Sequence, residues 1–378
     1  VADMPITALS DEAPVYERPY QPREPKGGDV SFDKSKSVLA SLKAILAAPD
    51  MASRRWIWEQ YDNSVMNDTV QHPGGDAAVV RVHGSSKALA ITTDVTPRYA
   101  KADPYQGGAQ AVAESYRNIT AVGGTPLAVT DNLNYGNPQK PEIMWEIVAG
   151  IDGIGAACRG LDYPVIGGNC SLYNETNGEG ILPTPAIGGV GLLKDVTKMA
   201  TVAFKRQGDV VIVIGETKGH LGQSIYLREI EGREDGPAPR VDPALEKKHG
   251  DFVRGLIEQS RVDTCHDVSD GGLLVAVAEM AIGGGIGASI GVAGLPEPIP
   301  FWFGEDQARY VIAAPFEEAD RIIEEARAAY ISVAALGKTG GDRLVLEDSN
   351  SVSIAALKAA HEGWFPNFMS GEEIPMTN

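Results

Sequence analysis

The chain has 378 residues, with 33 Lys and Arg against 51 Asp and Glu, for a net charge of -18 at neutral pH. No block of basic residues interrupts that balance, which argues against nucleic acid or an anionic membrane as partner. It leaves room for nucleotides bound through glycine amides, helix N-termini and magnesium. The length suits two domains with ample cores. Three scattered cysteines (Cys158, Cys170 and Cys265), with no Cys-x-x-Cys, argue against a disulfide framework or zinc site and for a reduced, cytoplasmic compartment. No apolar run approaches the roughly 18 residues of a membrane span.

Residues 1–30 carry Pro5, Pro14, Pro19, Pro22 and Pro25 without a hydrophobic period, which predicts an extended linker or strap lying on a surface. The chain opens Val1-Ala2-Asp3-Met4 with no initiator Met, as expected of a processed chain or the back portion of a longer polypeptide. Val38, Leu39, Leu42, Ile45 and Leu46 predict a helix over 31–48, with Ser31 or Asp33 as N-cap and Pro49 as its stop. A short helix over 53–61 is expected to bury Trp56 and Ile57.

From Gly74 the pattern turns to strands at 77–83 and 88–94, joined by a hairpin at 84–87. Then come a helix at 106–123, a strand at 127–130, a long helix at 141–160, a strand at 164–172 and a Gly-rich strand at 187–193. A boundary is expected near 194–206. Beyond it lie a buried strand at 210–214, a Gly-containing segment at 215–224 leading into a helix, and a Pro-rich loop at 233–243. Helices are predicted at 244–260, 271–283, 316–330 and near 353–361. Strands are predicted at 262–266, 286–292, 309–313, 332–337 and 343–347. This order is that of an α/β unit followed by an α+β unit.

The chain is organised around residues 164–176. Val165 and Ile166 predict a buried strand that delivers Gly167, Gly168, Asn169, Ser171, Asn174 and Glu175. Glycines let another group approach the backbone, and amides and hydroxyls offer neutral donors and acceptors. Four other clusters share this character: Gly74-Gly75-Asp76, Glu114 with Asn118 on one helix face, residues 130–138, and His266-Asp267-Val268-Ser269-Asp270-Gly271-Gly272. Singly, each is equally a turn, a solvated helix face or an N-cap. Together, carboxylates and amides at strand ends beside glycines are what magnesium and phosphate oxygens require. Residues 215–224 could also hold a phosphate at a helix N-terminus, although they match no nucleotide-binding loop pattern. No Ser-His-Asp or Cys-His arrangement is legible, and His266 reads most simply as a satisfied structural residue.

At these clusters the sequence resembles the synthetase-subunit family of phosphoribosylformylglycinamidine synthase, specifically its C-terminal half. The resemblance rests on residues 73–79, Thr93-Asp94 with Pro97-Arg98-Tyr99, and residues 130–138, 167–176, 182–193, 266–272 and 303–307. Asp131-Asn132-Leu133-Asn134-Tyr135-Gly136-Asn137-Pro138 and Gly168-Asn169-Cys170-Ser171-Leu172-Tyr173-Asn174-Glu175 are its most specific strings. The wider aminoimidazole ribonucleotide synthetase superfamily shares the fold but not these strings.

The resemblance implies an α/β domain with a barrel-forming sheet, here residues 31–200, followed by an α+β domain, here 201–378. It implies ATP-dependent amidation of formylglycinamide ribonucleotide in purine biosynthesis, using ammonia from glutamine. Asp131 and Gly168 would then contact ATP, Asn169 magnesium and Ser171 the ribonucleotide. Asp76, Glu114, Asn118, Asp267 and Ser269 would mark an auxiliary nucleotide–magnesium site that could hold structural ADP. The family's catalytic histidines belong to its N-terminal half, so no catalytic residue is expected in this chain. The implied partners are that half, a glutaminase subunit and a small accessory subunit. The alternatives are a non-catalytic nucleotide–magnesium scaffold and another superfamily enzyme such as a small-substrate kinase.

Overall fold

The computed structural model describes residues 3–291, 295, 297–346 and 350–371. In chain order the elements are α1 (Ile6–Leu9), α2 (Val38–Leu46), α3 (Arg55–Trp58), β1 (Thr69–Gln71), β2 (Ala78–Arg81), β3 (Ala88–Asp94), α4 (Pro97–Ala102) and α5 (Pro104–Ala121). These lead into β4 (Thr125–Asn134), α6 (Pro141–Leu161), β5 (Val165–Ser171), the short strands β6 (Glu175–Thr176) and β7 (Glu179–Gly180), and β8 (Thr184–Leu193). The second half contains β9 (Val210–Ile214), α7 (Ile225–Glu231), α8 (Pro243–Glu258), β10 (Thr264–Asp267), α9 (Gly272–Gly284), β11 (Ala288–Ile290) and α10 (Pro298–Phe303). It ends with β12 (Tyr310–Ala314), α11 (Phe316–Ala328), β13 (Val333–Thr339), β14 (Arg343–Leu346), β15 (Ser351–Ser353) and α12 (Ile354–Ser370). The expected strand ends at residues 292 and 347 lie outside the described residues.

The first sheet is six-stranded and open, in the order β1-β2-β3-β8-β4-β5, with only β4 and β5 parallel. Along β3 and β8 every second residue is buried. That period of two buries one face beneath α5 and α6 and leaves Leu89 and Ile91 on the other face in solvent. β5 closes the order at the edge. Val165 is 43% and Ile166 76% exposed, so the expected buried strand is in fact an exposed one. β-branched residues mark a strand, but not whether a neighbour covers it.

The second sheet runs β10-β12-β9-β13-β11-β14-β15. Its interior strand β9 is buried at all five positions, as an unbroken apolar run predicts. Val211 and Val213 face a core shared with α2, α7, α9 and α10, whereas Ile212 and Ile214 face α8 and α11.

Helix α2 starts later than the spacing suggested. Ser37, not Ser31 or Asp33, is its N-cap and accepts from the Ala40 N–H at 3.4 Å, while Asp33 closes a separate turn with Ser35. Leu42, Ile45 and Leu46 are fully buried in the core of the second sheet, although they precede the first in sequence. Helix α3 is a single turn that leaves Ile57 39% exposed, contrary to its expected burial. Helix α12 runs well past residue 361, despite Pro366, with Trp364 stacked on Phe368 and Arg54 over Phe365. The strap follows the first unit. Gln21 N donates to Pro141 O and Lys26 N to Ala102 O, both at 3.0 Å, and Tyr20 stacks on Trp145.

Candidate nucleotide and magnesium sites

Parallel pairing of β4 with β5 sets Asp131 beside Gly168, Asn132 beside Asn169 and Asn134 beside Ser171. Two of the expected clusters thus become one strip. Residues 131–134 lie inside β4 and 168–171 inside β5, not in the turns after them. Alternation then divides the strip between two faces. Asp131 lies on the helix-covered side near Cys158 and Cys170, and burial raises its pKa. On the other side Asn169 Nδ2 donates to Asn132 Oδ1 at 3.1 Å. Ser171 Oγ donates to Asn174 Oδ1 at 3.4 Å, and Asn174 Nδ2 donates to Ser171 O at 2.8 Å and Tyr135 O at 3.0 Å. Glu175 joins the two loops by accepting from Lys140 Nζ at 2.7 Å and Asn137 N at 3.2 Å.

The second group surrounds a cavity of about 770 Å³ at the junction of the two units. Asp76, Asn118, Asp267 and Ser269 all line it, together with Asp94 and Asp270. Glu114 lies on the same helix as Asn118. It accepts a hydrogen bond from Gln110, and burial followed by the charges of Asp94, Asp270 and Asp267 raises its pKa well above the carboxylate range. Asn118 Nδ2 donates to Asp94 Oδ1 at 2.8 Å. Burial pushes Asp94 up to about 7 and Asp267 to about 6, the latter against the opposing pull of Arg117.

His266 is held on both sides, with Nδ1 2.7 Å from Asp76 Oδ1 and Nε2 3.0 Å from Glu279 Oε2. Burial lowers its pKa, but Asp76 and Glu279 outweigh burial and raise it well above the usual value. The cavity floor suits a hard cation. Among the described residues, Asp76 and Asp94 each present a buried Oδ2 with no hydrogen-bond partner, and ligand atoms of Asp76, His266 and Asp267 lie within 4.8 Å of one another. Asp76, Asp94 and Asp267 are the residues that would hold magnesium there, where it would neutralise phosphate charge.

Two family models match this pair of units: AIR synthase related protein, N-terminal domain, over residues 74–193, and its C-terminal domain over residues 206–349. The chain belongs to the AIR synthase related family. It is 56% identical over 373 residues to phosphoribosylformylglycinamidine synthase subunit PurL of Azorhizobium caulinodans, covering 97% of this chain and 50% of that protein. A Bradyrhizobium PurL is 54% identical over 374 residues, covering 98% and 51%. The chain therefore spans about half the length of the curated relatives it matches. Among solved structures, Thermotoga maritima PurL complexed with FGAR superposes at a TM-score of 0.68 with 19% identity, over 86% of this chain and 54% of that one. At that identity the likeness is one of fold.

In this AIR synthase related chain residues 215–224 do not form an anion site. The Asp306 carboxylate accepts from the N–H groups of Lys218, Gly219 and His220 at 3.1, 2.9 and 3.3 Å. At the start of α7, Glu305 Oε1 accepts from Ile225 N at 2.8 Å. Four N–H groups that could have gripped a phosphate are taken by the protein's own carboxylates, which no local pattern discloses.

Sequence reading also missed the charged groups between the units. Arg98 of α4 donates to both Asp270 oxygens, to Glu305 Oε2 at 3.1 Å and to Gln223 O at 2.6 Å. Tyr99 donates to the same Glu305 oxygen. Arg117 of α5 pairs with Glu246 at 2.7 Å and with Asp267 at 3.2 Å. Each cation is buried against partners more than 120 residues away, except that Tyr99 is its neighbour in sequence. Pro97-Arg98-Tyr99 and residues 303–307, which belong to the resemblance, and the carboxylates of 266–272 were the available signals.

Proposed function

We propose that this chain is the C-terminal half of a synthetase subunit of phosphoribosylformylglycinamidine synthase. It lends one wall to a site for ATP-dependent amidation of formylglycinamide ribonucleotide in the cytoplasm. The observation that carries this reading is the β4–β5 strip, where parallel register gathers Asp131, Gly168, Asn169 and Ser171 at one edge. Asp131 and Gly168 face the nucleotide, Asn169 helps hold magnesium and Ser171 meets the ribonucleotide. Magnesium, when bound, neutralises charge on the transferring phosphoryl group. Such transfer depends mainly on positioning and electrostatics, so glycine amides, neutral side chains and one carboxylate suit it.

The partner that completes the site is the N-terminal half of the same synthetase. Three observations favour this. The chain covers half of its relatives' length, β5 has no partner on its outer side among the described residues, and one face of the first sheet exposes Leu89. The proton-transferring groups, the glutaminase that supplies ammonia and the small accessory subunit all lie outside this chain. The test is amidine formation from ATP and ammonia by the purified 378-residue chain. No turnover is expected until the other half is added, and appreciable turnover by the chain alone overturns the proposal.

The acidic cavity supports a second, structural nucleotide–magnesium site formed by Asp76, Glu114, Asn118, Asp267 and Ser269, with ADP as the expected occupant. Its buried carboxylate oxygens without partners favour this reading. Calorimetry with ADP and magnesium, on wild type and Asp267→Asn, tests it: the substitution should weaken magnesium-dependent binding. Equal binding by both chains rejects the site.

A further inference from the structure

The same cavity has a wall that the carboxylates do not supply. Arg55 of α3, with Lys358 and His361 of α12, also lines it, and both helices lie outside the residues matched by the family models. Among the described residues, neither Arg55 nor Lys358 forms an ion pair with a floor carboxylate. Arg55 pairs with Glu59 and, at 3.8 Å, with Glu362, and Lys358 reaches Glu362 at 3.9 Å. Among the described residues, His361 Nδ1 is buried with no hydrogen-bond partner, as are Asp76 Oδ2 and Asp94 Oδ2 on the floor. One cavity thus has a carboxylate floor and, across from it, a cationic wall whose Arg55 and Lys358 reach Glu362, itself a lining residue, rather than the floor.

A ligand meeting both sets brings metal to the floor and anionic oxygens to the wall. Magnesium-bound polyphosphate has that chemistry. The volume, about 770 Å³, falls within the range of nucleotide-sized pockets. We infer that Lys358, Arg55 and His361 grip the phosphate oxygens of a magnesium-bound nucleoside diphosphate or triphosphate in this cavity. The inference rests on the nucleotide–magnesium reading of the carboxylate floor and adds the phosphate-binding side to it.

Calorimetry on the full 378-residue chain tests this, using ADP, pyrophosphate and adenosine as probes in excess magnesium. Lys358→Gln, alone and with Arg55→Gln, should weaken ADP and pyrophosphate about tenfold or more, leaving adenosine binding and the thermal midpoint as in wild type. Lys358→Arg should retain most of the affinity. If wild type binds neither phosphate probe, the nucleotide reading of the cavity fails, and this inference with it. If wild type binds and the double variant binds equally well, the phosphate-gripping wall is overturned while the carboxylate site stands.

Discussion

Gly168 lies directly against the carboxylate of Asp131. A Cβ at Gly168 would come within 1.9 Å of Asp131 Oδ1 and 2.7 Å of the Asp131 carbonyl oxygen. Turning the Asp131 side chain aside cannot relieve the second contact, so β4 and β5 would have to separate. We expect Gly168→Ala to destabilise the chain by about 1–3 kcal/mol, the usual cost of overpacking. In the intact synthetase it should lower ATP-dependent turnover at least tenfold. Denaturant titration and ATP saturation kinetics measure the two effects, and wild-type kinetics would remove Gly168 from the nucleotide wall.

Asn169 should behave differently, because its side chain is exposed and, among the described residues, makes only the bond to Asn132. Asn169→Ala is expected to change stability by no more than about 0.5 kcal/mol. In the intact enzyme it should raise the magnesium concentration needed for half-maximal rate several-fold. An unaltered magnesium dependence would count against Asn169 as a metal-binding residue.

Asp306 satisfies three backbone donors in a loop that has no secondary structure of its own. Asp306→Ala strands those N–H groups, and a loss of about 3 kcal/mol is expected from the broken charge-assisted bonds. Chemical denaturation reads the loss, and Asp306→Asn should recover part of it. If Asp306→Ala instead acquires affinity for inorganic phosphate, the loop is an anion site that the carboxylate blocks.

The acidic cavity predicts a pH dependence for the metal-free chain. Burial raises Asp94 to about 7 and Asp267 to about 6 in the folded state. Unfolded aspartates release their protons near pH 4. Between roughly pH 4 and 7 the folded chain therefore holds more protons than the unfolded one, so this contribution to stability falls as pH rises. Thermal midpoints in the presence of a chelator should show a shallower fall for Asp94→Asn than for wild type across that window. Parallel curves for the two chains would contradict the assignment.

Much of the architecture was legible in the chain itself. The unbroken apolar run of Val210–Ile214 marks a strand covered on both faces, because only such a strand can hide every side chain. Glycine and asparagine strings singled out residues 130–138 and 167–176, which pair as β4 and β5, and carboxylates beside glycines singled out Asp76 and Asp267, which line one cavity. Local chemistry is written in local sequence. What tertiary structure alone decided is which neighbours those residues acquired. It made Val165 and Ile166 an exposed edge and split Asp131 from Asn169 across the sheet. It also filled the 215–224 loop with Asp306 and brought Arg98 onto Asp270 and Glu305. Each of these depends on strand order or on pairing across more than 80 residues, and periodicity reports only whether a side chain is turned inward, not what waits there.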